Sequence, residues 1–450
     1  MIKKLNEKAH VVVKTPVGDT NSFLLEDIVR QGSVYGPQIC IASMDKINLL
    51  GKDLVTYYGP NLPIRAGIFV DDVNGAGGVT VANNIIYNCG LMEERKKMTF
   101  NNRNGKTEYM VIDGNEEEEM QTVTTQVKKG GIERVSEHKV LGTLFDETAD
   151  AGGNTNKKKE KLQFMISTTR NEAHPKNLGE LAVVARLKLA EVVIIRSILH
   201  DVEAFPSYTE GEIIELERIQ HSILFGILEL PSSTPYYGLL LETGWWTMRG
   251  RLTYHKLMLY HNIVTSDNRR VVKYMIRLQM DMKRQTTWFS SIRRAICEFG
   301  IELKAEETLK STWKKHVKVK IGERMARDVR EGCFKLKKTR TIKNNSYEMK
   351  EYLTNMDLYS IKKILRMRLH MSKLPGNYRG GGEGTCPLCG IEKGSTEHYF
   401  QCPSVCQLVD VWGVRSCDLE SLDVQTMKTV SKFVEKVEFM LEPMKVCGGK

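Results

Sequence analysis

The chain has 450 residues, an ordinary hydrophobic content of 41% and a formal net charge of +11, enough for a large core divided among roughly two to four domains. The opening stretch MIKKLNEKAHVVVK has no apolar run of the secretory kind. The most apolar long run, 181–199, carries Arg186, Lys188, Glu191 and Arg196, which excludes a membrane span and suits a buried helix.

Residues 1–146 alternate short β-prone runs (HVVVK, GIFVDD, TEYMVI, VLGTLF) with helical stretches such as SMDKINLLGKDLVTYY and ANNIIYNCGLMEERKK. This is an α+β pattern. The polar bridge ETADAGGNTNKKKEK (147–161) marks the expected domain boundary. From 162 to 300 the pattern turns helical and amphipathic. EGEIIELERIQHSILFGILEL (210–230) has apolar residues at three-to-four spacing and stops before Pro231, and MRGRLTYHKLMLYHNIV predicts another helix. A basic helical connector occupies 301–379, ending in the RGGGEGT linker (379–385), and a Cys-rich region fills 386–450.

Most of the net positive excess sits in one place. Between Lys310 and Lys343, 13 Lys or Arg stand against Glu323, Asp328 and Glu331. Interleaved Trp313, Val317, Val319, Ile321 and Met325 predict an apolar face docked on the preceding helices. Lys314, Lys315, Lys318 and Arg324 are left for a phosphate backbone, the ligand such a charge density suits; a plain solvated face is the alternative.

Ten cysteines are present, six of them in the last 65 residues. With no secretion signal they read as metal ligands rather than disulfides. Cys386-x₂-Cys389-x₈-His398-x₃-Cys402 supplies three thiols and an imidazole, the donor set of a closed, structural Zn²⁺ site. Cys406 can replace Cys402, but the shorter spacing after His398 favours Cys402. The HYF aromatics around His398 can stack on bases or pack the knuckle.

In AGIFVDDVNG (66–75) the apolar run predicts a strand. DDVN predicts a hairpin turn, with Asn74-Gly75 supplying positive φ and Asp71 and Asp72 at the tip as oxygen ligands for Mg²⁺. A plain turn explains the same letters.

Four segments in order resemble the palm of reverse transcriptases of non-LTR (LINE-type) retrotransposons: RQGSVYGP (30–37) motif B, FVDD motif C, GKTEYMVI (105–112) motif D and VLGT the motif E primer grip, with Val140 where the family usually has an aromatic. LPSSTPYYGLLLETGWWTMRGRLTYHKLMLYHNI (230–263) is similar to the family's segment after the thumb. LRMRLHMSKLPGNYR with CPLCG and EHYFQC is similar to its C-terminal end. The resemblance covers most of the chain. It implies a partial polymerase palm, an antiparallel sheet with helices, over 1–146, a helical thumb and post-thumb region over 162–300, and a zinc knuckle at the end. It also implies two-metal nucleotidyl transfer with RNA template, DNA primer or target and dNTPs as partners. Gln31 and Gly32 would line template and nucleotide, Asp71 and Asp72 would hold Mg²⁺, Lys106 would serve the triphosphate as a charge or proton donor, and Leu141 and Gly142 would brace the primer end.

Family order requires a motif A aspartate, on the strand beside FVDD, before motif B. The 29 residues before Arg30 offer Glu7, Asp19, Glu26 and Asp27. None follows an apolar strand of the right kind. The expectation is therefore the C-terminal half of a reverse transcriptase, with fingers and first palm strand supplied from upstream and little activity alone. No endonuclease signature is found, and the 48 residues after Cys402 are too few for a nuclease domain. The competing expectations are a non-catalytic RNA- or DNA-binding module and a decayed retroelement relic. The family's chromosomal targets imply a nuclear location, with a cytoplasmic ribonucleoprotein as the alternative.

Overall fold

A computed structural model describes residues 9–12, 14–15, 18–25, 56–57, 63–64, 67–69, 72–75, 85–91, 106–112, 132–140 and 143–147, and further on 183–268, 270–281, 287–336, 339, 346–371, 384–420 and 423–446. The chain separates into two compact units, Met1–Thr148 and Ala149–Lys450. Small sheets lie in the first and helices dominate the second, a mixed architecture compatible with α+β.

In the first unit the described strands pair two by two. Ala9–Val11 (β1) runs antiparallel to Phe23–Leu25 (β4), enclosing the tight pair Lys14–Thr15 (β2) and Gly18–Asp19 (β3). Thr56–Tyr57 (β5) pairs with Pro63–Ile64 (β6), so the end of the helix expected over SMDKINLLGKDLVTYY is extended instead. Threonine and tyrosine are strand formers once a partner lies alongside, and here the pairing overrides the helical periodicity. Gly67–Phe69 (β7) pairs with Asp72–Asn74 (β8). Glu108–Tyr109 (β9) lies parallel to Glu133–Arg134 (β10), an exception to the antiparallel expectation. Glu137–Val140 (β11) and Thr143–Asp146 (β12) form a hairpin.

The second unit begins with Val183–Ala190 (α1), which passes through a π-helical turn at Glu191–Ile195 into Arg196–Ile198. Glu210–Ile227 (α2) starts in a capping box. The Thr209 hydroxyl accepts the Glu212 N–H, and the Glu212 carboxylate accepts the Thr209 N–H at 2.6 Å. Then come Tyr236–Thr243 (α3), Met248–Val264 (α4), Val271–Asp281 (α5), Trp288–Phe299 (α6) and Lys310–Lys335 (α7). Tyr352–Asn355 (α8) and Leu358–Arg368 (α9) follow. Thr396–Tyr399 (α10), Cys406–Trp412 (α11) and Val424–Val446 (α12) complete the order. No described helix is long and apolar enough to cross a membrane.

The basic helix α7 is the spine of this unit. Trp313, Val317, Ile321, Met325, Val329 and Cys333 are all buried, one every fourth residue. Four residues turn a helix by about 400°, so this row drifts by about 40° at each step and sweeps around the axis. Its first four members therefore face the core formed with Leu257 and Tyr260 of α4 and Ile292 of α6. Val329 and Cys333 face another core, built from α1, α2, α3 and α9. Val319, expected on the apolar face, is half exposed. Two residues beyond Val317 it is rotated by about 200°, onto the opposite side.

Close approach of α7 depends on glycines. A Cβ added at Gly332 would stand 2.6 Å from the Tyr237 ring, whereas Gly322, on the same helix, meets nothing within 4 Å. We expect Gly332→Ala to destabilise by about 1–3 kcal/mol through overpacking. Gly322→Ala should stabilise by about 0.5–1 kcal/mol through helix propensity. Urea midpoints for the two variants check this, and shifts of the same sign would reject the close packing.

A second set of contacts ties distant segments together. Glu242, at the end of α3, is wholly buried. Its carboxylate accepts the Tyr352 hydroxyl at 2.6 Å and the Arg368 Nε–H at 2.8 Å. Arg368 also donates through Nη1 to the Leu419 carbonyl. Burial alone would pull the Arg368 guanidinium down, but Glu242 and then Tyr352 outweigh it and hold it protonated.

Candidate metal centre and basic helix

The Cys-rich region is organised by a short hairpin. Thr385 and Lys393 bridge antiparallel, the Cys386 N–H donates to the Glu392 carbonyl at 2.6 Å, and the Gly390 N–H returns to the Cys386 carbonyl at 2.7 Å. Gly390 takes a φ of 68°, the left-handed conformation that glycine adopts without a side-chain clash and that closes the Cys-Pro-Leu-Cys-Gly knuckle. The third ligand comes from α10, where Ser395 caps the helix by accepting the His398 N–H at 3.1 Å. Cys402 follows, just before the turn Pro403–Val405, and the Ser404 hydroxyl reaches back to the Leu388 carbonyl at 2.9 Å.

These elements bring one ligand atom each from Cys386, Cys389, His398 and Cys402 to within 4.8 Å of one another. Cys386 Sγ lies 3.8 Å from Cys402 Sγ, and Cys389 Sγ lies 3.3 Å from His398 Nε2. In a tetrahedron with metal–sulfur bonds of about 2.3 Å and metal–nitrogen bonds of about 2.0–2.1 Å, the edges are about 3.8 Å between sulfurs and about 3.6 Å between sulfur and nitrogen. The four groups fit a zinc ion. Backbone N–H donation from Glu392 and Ile391, with the His398 ring beside it, pulls the Cys389 thiol down to about 6. Burial pushes Cys402 up to about 11. One sulfur is thus disposed to be a thiolate, while the other gives up its proton as a metal binds. Four protein ligands leave no open position, so the centre can hold structure but offers no bound water for chemistry.

Cys402 belongs to the cluster, and Cys406 is exposed at the start of α11. Tyr399 and Phe400 are buried, and Phe400 stacks on Phe433 of α12 with ring centroids 5.3 Å apart. The aromatics beside His398 therefore pack the knuckle rather than face outward. With Met367 of α9 and Val430, Val434 and Val437 of α12 they form a third core around the metal ligands. Glu392, which the sequence reading passed over, also touches the site: its carboxylate lies 3.0 Å from His398 Nδ1. The signal was available, since metal-binding histidines habitually hand their second ring nitrogen to a carboxylate.

On α7, Lys314, Lys315 and Lys318 are exposed. Among the described residues no ion pair engages them, whereas Lys320 meets Glu302 at 3.7 Å and Arg324 meets Asp328 at 3.0 Å. Arg324, grouped with the free lysines on sequence grounds, spends its charge on an acid one turn along its own helix.

Gln31, Gly32, Asp71, Leu141 and Gly142 lie outside the described residues, as does the Asp72 side chain, and with them the Mg²⁺ site. The Asp72 backbone opens β8 opposite Phe69. Only Val70 and Asp71 separate the paired strands, so Asn74 belongs to β8, opposite Gly67, and not to the turn. Gly75 does not take a positive φ; a side chain there would collide with Ile85 of the helical segment 85–91. The pair Asn74-Gly75 thus serves strand pairing and close packing, which leave the same letters in a sequence as a tight turn. Lys106 is exposed in the turn before β9. Leu141 and Gly142 fall between β11 and β12. Comparison with known protein families, curated proteins and solved structures finds no match.

Proposed function

We propose that the chain is the C-terminal half of a reverse transcriptase of the non-LTR retrotransposon kind, an RNA-directed DNA polymerase by descent, and that it binds nucleic acid. The order of the four motif segments carries the reading. It is supported by the β7–β8 hairpin, which starts its second strand at Asp72, and by a closed Cys/His centre in the segment similar to the family's C-terminal end. On this reading 1–146 is a partial palm, the helices from 162 to 300 are thumb and post-thumb, and 301–379 is a basic connector. Mg²⁺ would be held by Asp71 and Asp72, with Lys106 toward the triphosphate, and the protein would work in the nucleus. Two carboxylates of a convergent set of three are a poor cage for two metal ions. These 450 residues alone should therefore show little or no primer extension on an RNA template with Mg²⁺ or Mn²⁺. Robust dNTP incorporation abolished by Asp71→Ala would show that a third carboxylate is dispensable. Fusion to a family fingers and first palm strand should raise incorporation.

The second reading, a non-catalytic RNA- or DNA-binding module, is favoured by the three exposed lysines of α7 that no ion pair engages among the described residues. About four phosphate contacts give a slope of log K against log salt near −3 to −4. Lys314→Gln, Lys315→Gln and Lys318→Gln together should flatten it by roughly 2–3 and weaken RNA and DNA alike, because phosphate contacts carry no sequence information. Unchanged affinity and slope would reduce the face to a solvated one. Binding that survives Asp71→Ala and Asp72→Ala without any polymerisation would favour the module over the enzyme.

A further inference from the structure

Glu392 stands in an unusual relation to the four ligands of the Cys/His centre. Its backbone carbonyl accepts the Cys386 N–H at 2.6 Å. Its carboxylate Oε2 lies 3.0 Å from His398 Nδ1. One residue thereby touches two of the four ligands, through its backbone and its side chain, from the hairpin strand facing the first of them. The His398 side chain is 4% exposed while that of Glu392 is 69% exposed, so the carboxylate reaches in from the surface to a ring that is otherwise enclosed.

The ring has two nitrogens, and the geometry gives them different tasks. Nε2 is turned toward Cys389 Sγ at 3.3 Å, inside the cluster. Nδ1 is turned away from it, onto the carboxylate. A neutral imidazole carries one proton, and the carboxylate accepts it most favourably at Nδ1, which leaves the Nε2 lone pair for a metal. Between Cys389 and His398 the chain has two acids, Glu392 and Glu397. Glu397 turns instead to His370, at 3.8 Å, so Glu392 alone of the two serves His398.

Resting on the metal-centre reading, we propose that Glu392 is the positioning residue of this centre. It fixes His398 as the Nδ1–H tautomer, so that Nε2 is the ligating atom, and holds the ring plane in line with the three sulfurs. It is not a ligand itself, because its carboxylate lies on the far side of the ring. The effect of such an outer partner is typically a 10- to 100-fold gain in metal affinity.

The test uses the full chain, loaded with Zn²⁺ and titrated against a chromophoric chelator, with Glu392→Ala, Glu392→Gln and Cys389→Ser beside the wild type. Glu392→Ala should bind Zn²⁺ about 10- to 100-fold more weakly with an unchanged helical circular-dichroism spectrum. Glu392→Gln, whose amide oxygen still accepts from Nδ1–H, should recover most of the loss. Wild-type affinity in Glu392→Ala, or an equal loss in both Glu392 variants, would overturn the positioning role, the latter by assigning the effect to charge alone. A second measurement needs no variant. In the ¹¹³Cd²⁺-loaded chain, a metal on Nε2 couples to both carbon-bound ring hydrogens of His398, and a metal on Nδ1 couples to Hε1 only. Coupling to both is expected; coupling to Hε1 alone overturns the proposal. If wild type and Cys389→Ser carry the same metal content, the metal-centre reading itself fails. If Cys389→Ser loses the metal while Glu392→Ala matches wild type, only the role of Glu392 fails.

Discussion

Replacing Glu242 by Ala should cost about 3–5 kcal/mol, because it leaves the Arg368 guanidinium charged and enclosed without its counter-ion. Both side chains of the pair are almost fully removed from water, at 0% and 2% exposure, so solvent cannot compensate. The Tyr352 hydroxyl would lose its acceptor as well. The expected observation is a urea midpoint shifted far below wild type. The discriminating companion is Glu242→Leu combined with Arg368→Met, which removes both charges and should recover most of the loss. A Glu242→Ala cost under about 1 kcal/mol would mean that Arg368 finds other partners, and the network would then have little to do with holding α3 to α9.

The second large effect concerns the metal. Purified protein should carry one Zn²⁺ per chain by elemental analysis. Cys389→Ser should lose it, as should treatment with a strong chelator. Apparent binding free energies of about 10–16 kcal/mol in zinc-finger peptides show how much of a small domain's order such an ion can supply. Amide hydrogen exchange should reveal the loss as collapsed protection over 384–420 and the face of α12 that meets it, with α2, α3 and α4 little changed. Metal content unchanged by the substitution would reject the site. Protection unchanged after the metal has gone would show that the third core, with its stacked Phe400 and Phe433, stands without it.

What could be read in advance follows the range of the interactions concerned. The helices of the second unit are legible because their apolar spacing and caps are local: Thr209 with Glu212 opens α2, and Pro231 follows its end. The Cys/His ligands are legible for the same reason, lying within one short stretch whose donor chemistry is distinctive. The Glu242–Arg368 pair is not, since its members stand 126 residues apart and an isolated glutamate in LLLETGWW carries no mark of its partner. Thr56 and Tyr57 are not legible as a strand, because strand formation depends on a neighbour that periodicity does not see. Val319 belongs with the apolar residues by composition but not by its angle around the helix. The glycines at 75, 250 and 332 are contact sites for Ile85, Met325 and Tyr237, and nothing next to them in the chain says so.

The oblique row of buried residues on α7 also bears on how this unit comes apart. One rigid rod contributes its early turns to one apolar nucleus and its late turns to another, so neither can melt without stripping the rod from the other. The two should therefore melt as a single cooperative block. The metal-side nucleus packs on that block along α9 and α12, through Met367 and Arg368 on α9, Met427 on α12 and the ion pair of Lys363 with Glu435 at 3.4 Å. Its own order rests as well on the four Cys/His ligands and the metal they would hold. Stripped of metal by a chelator, the C-terminal nucleus should therefore loosen ahead of the rest on heating, and a scanning calorimeter would show a shoulder before the main transition that the metal-loaded chain lacks.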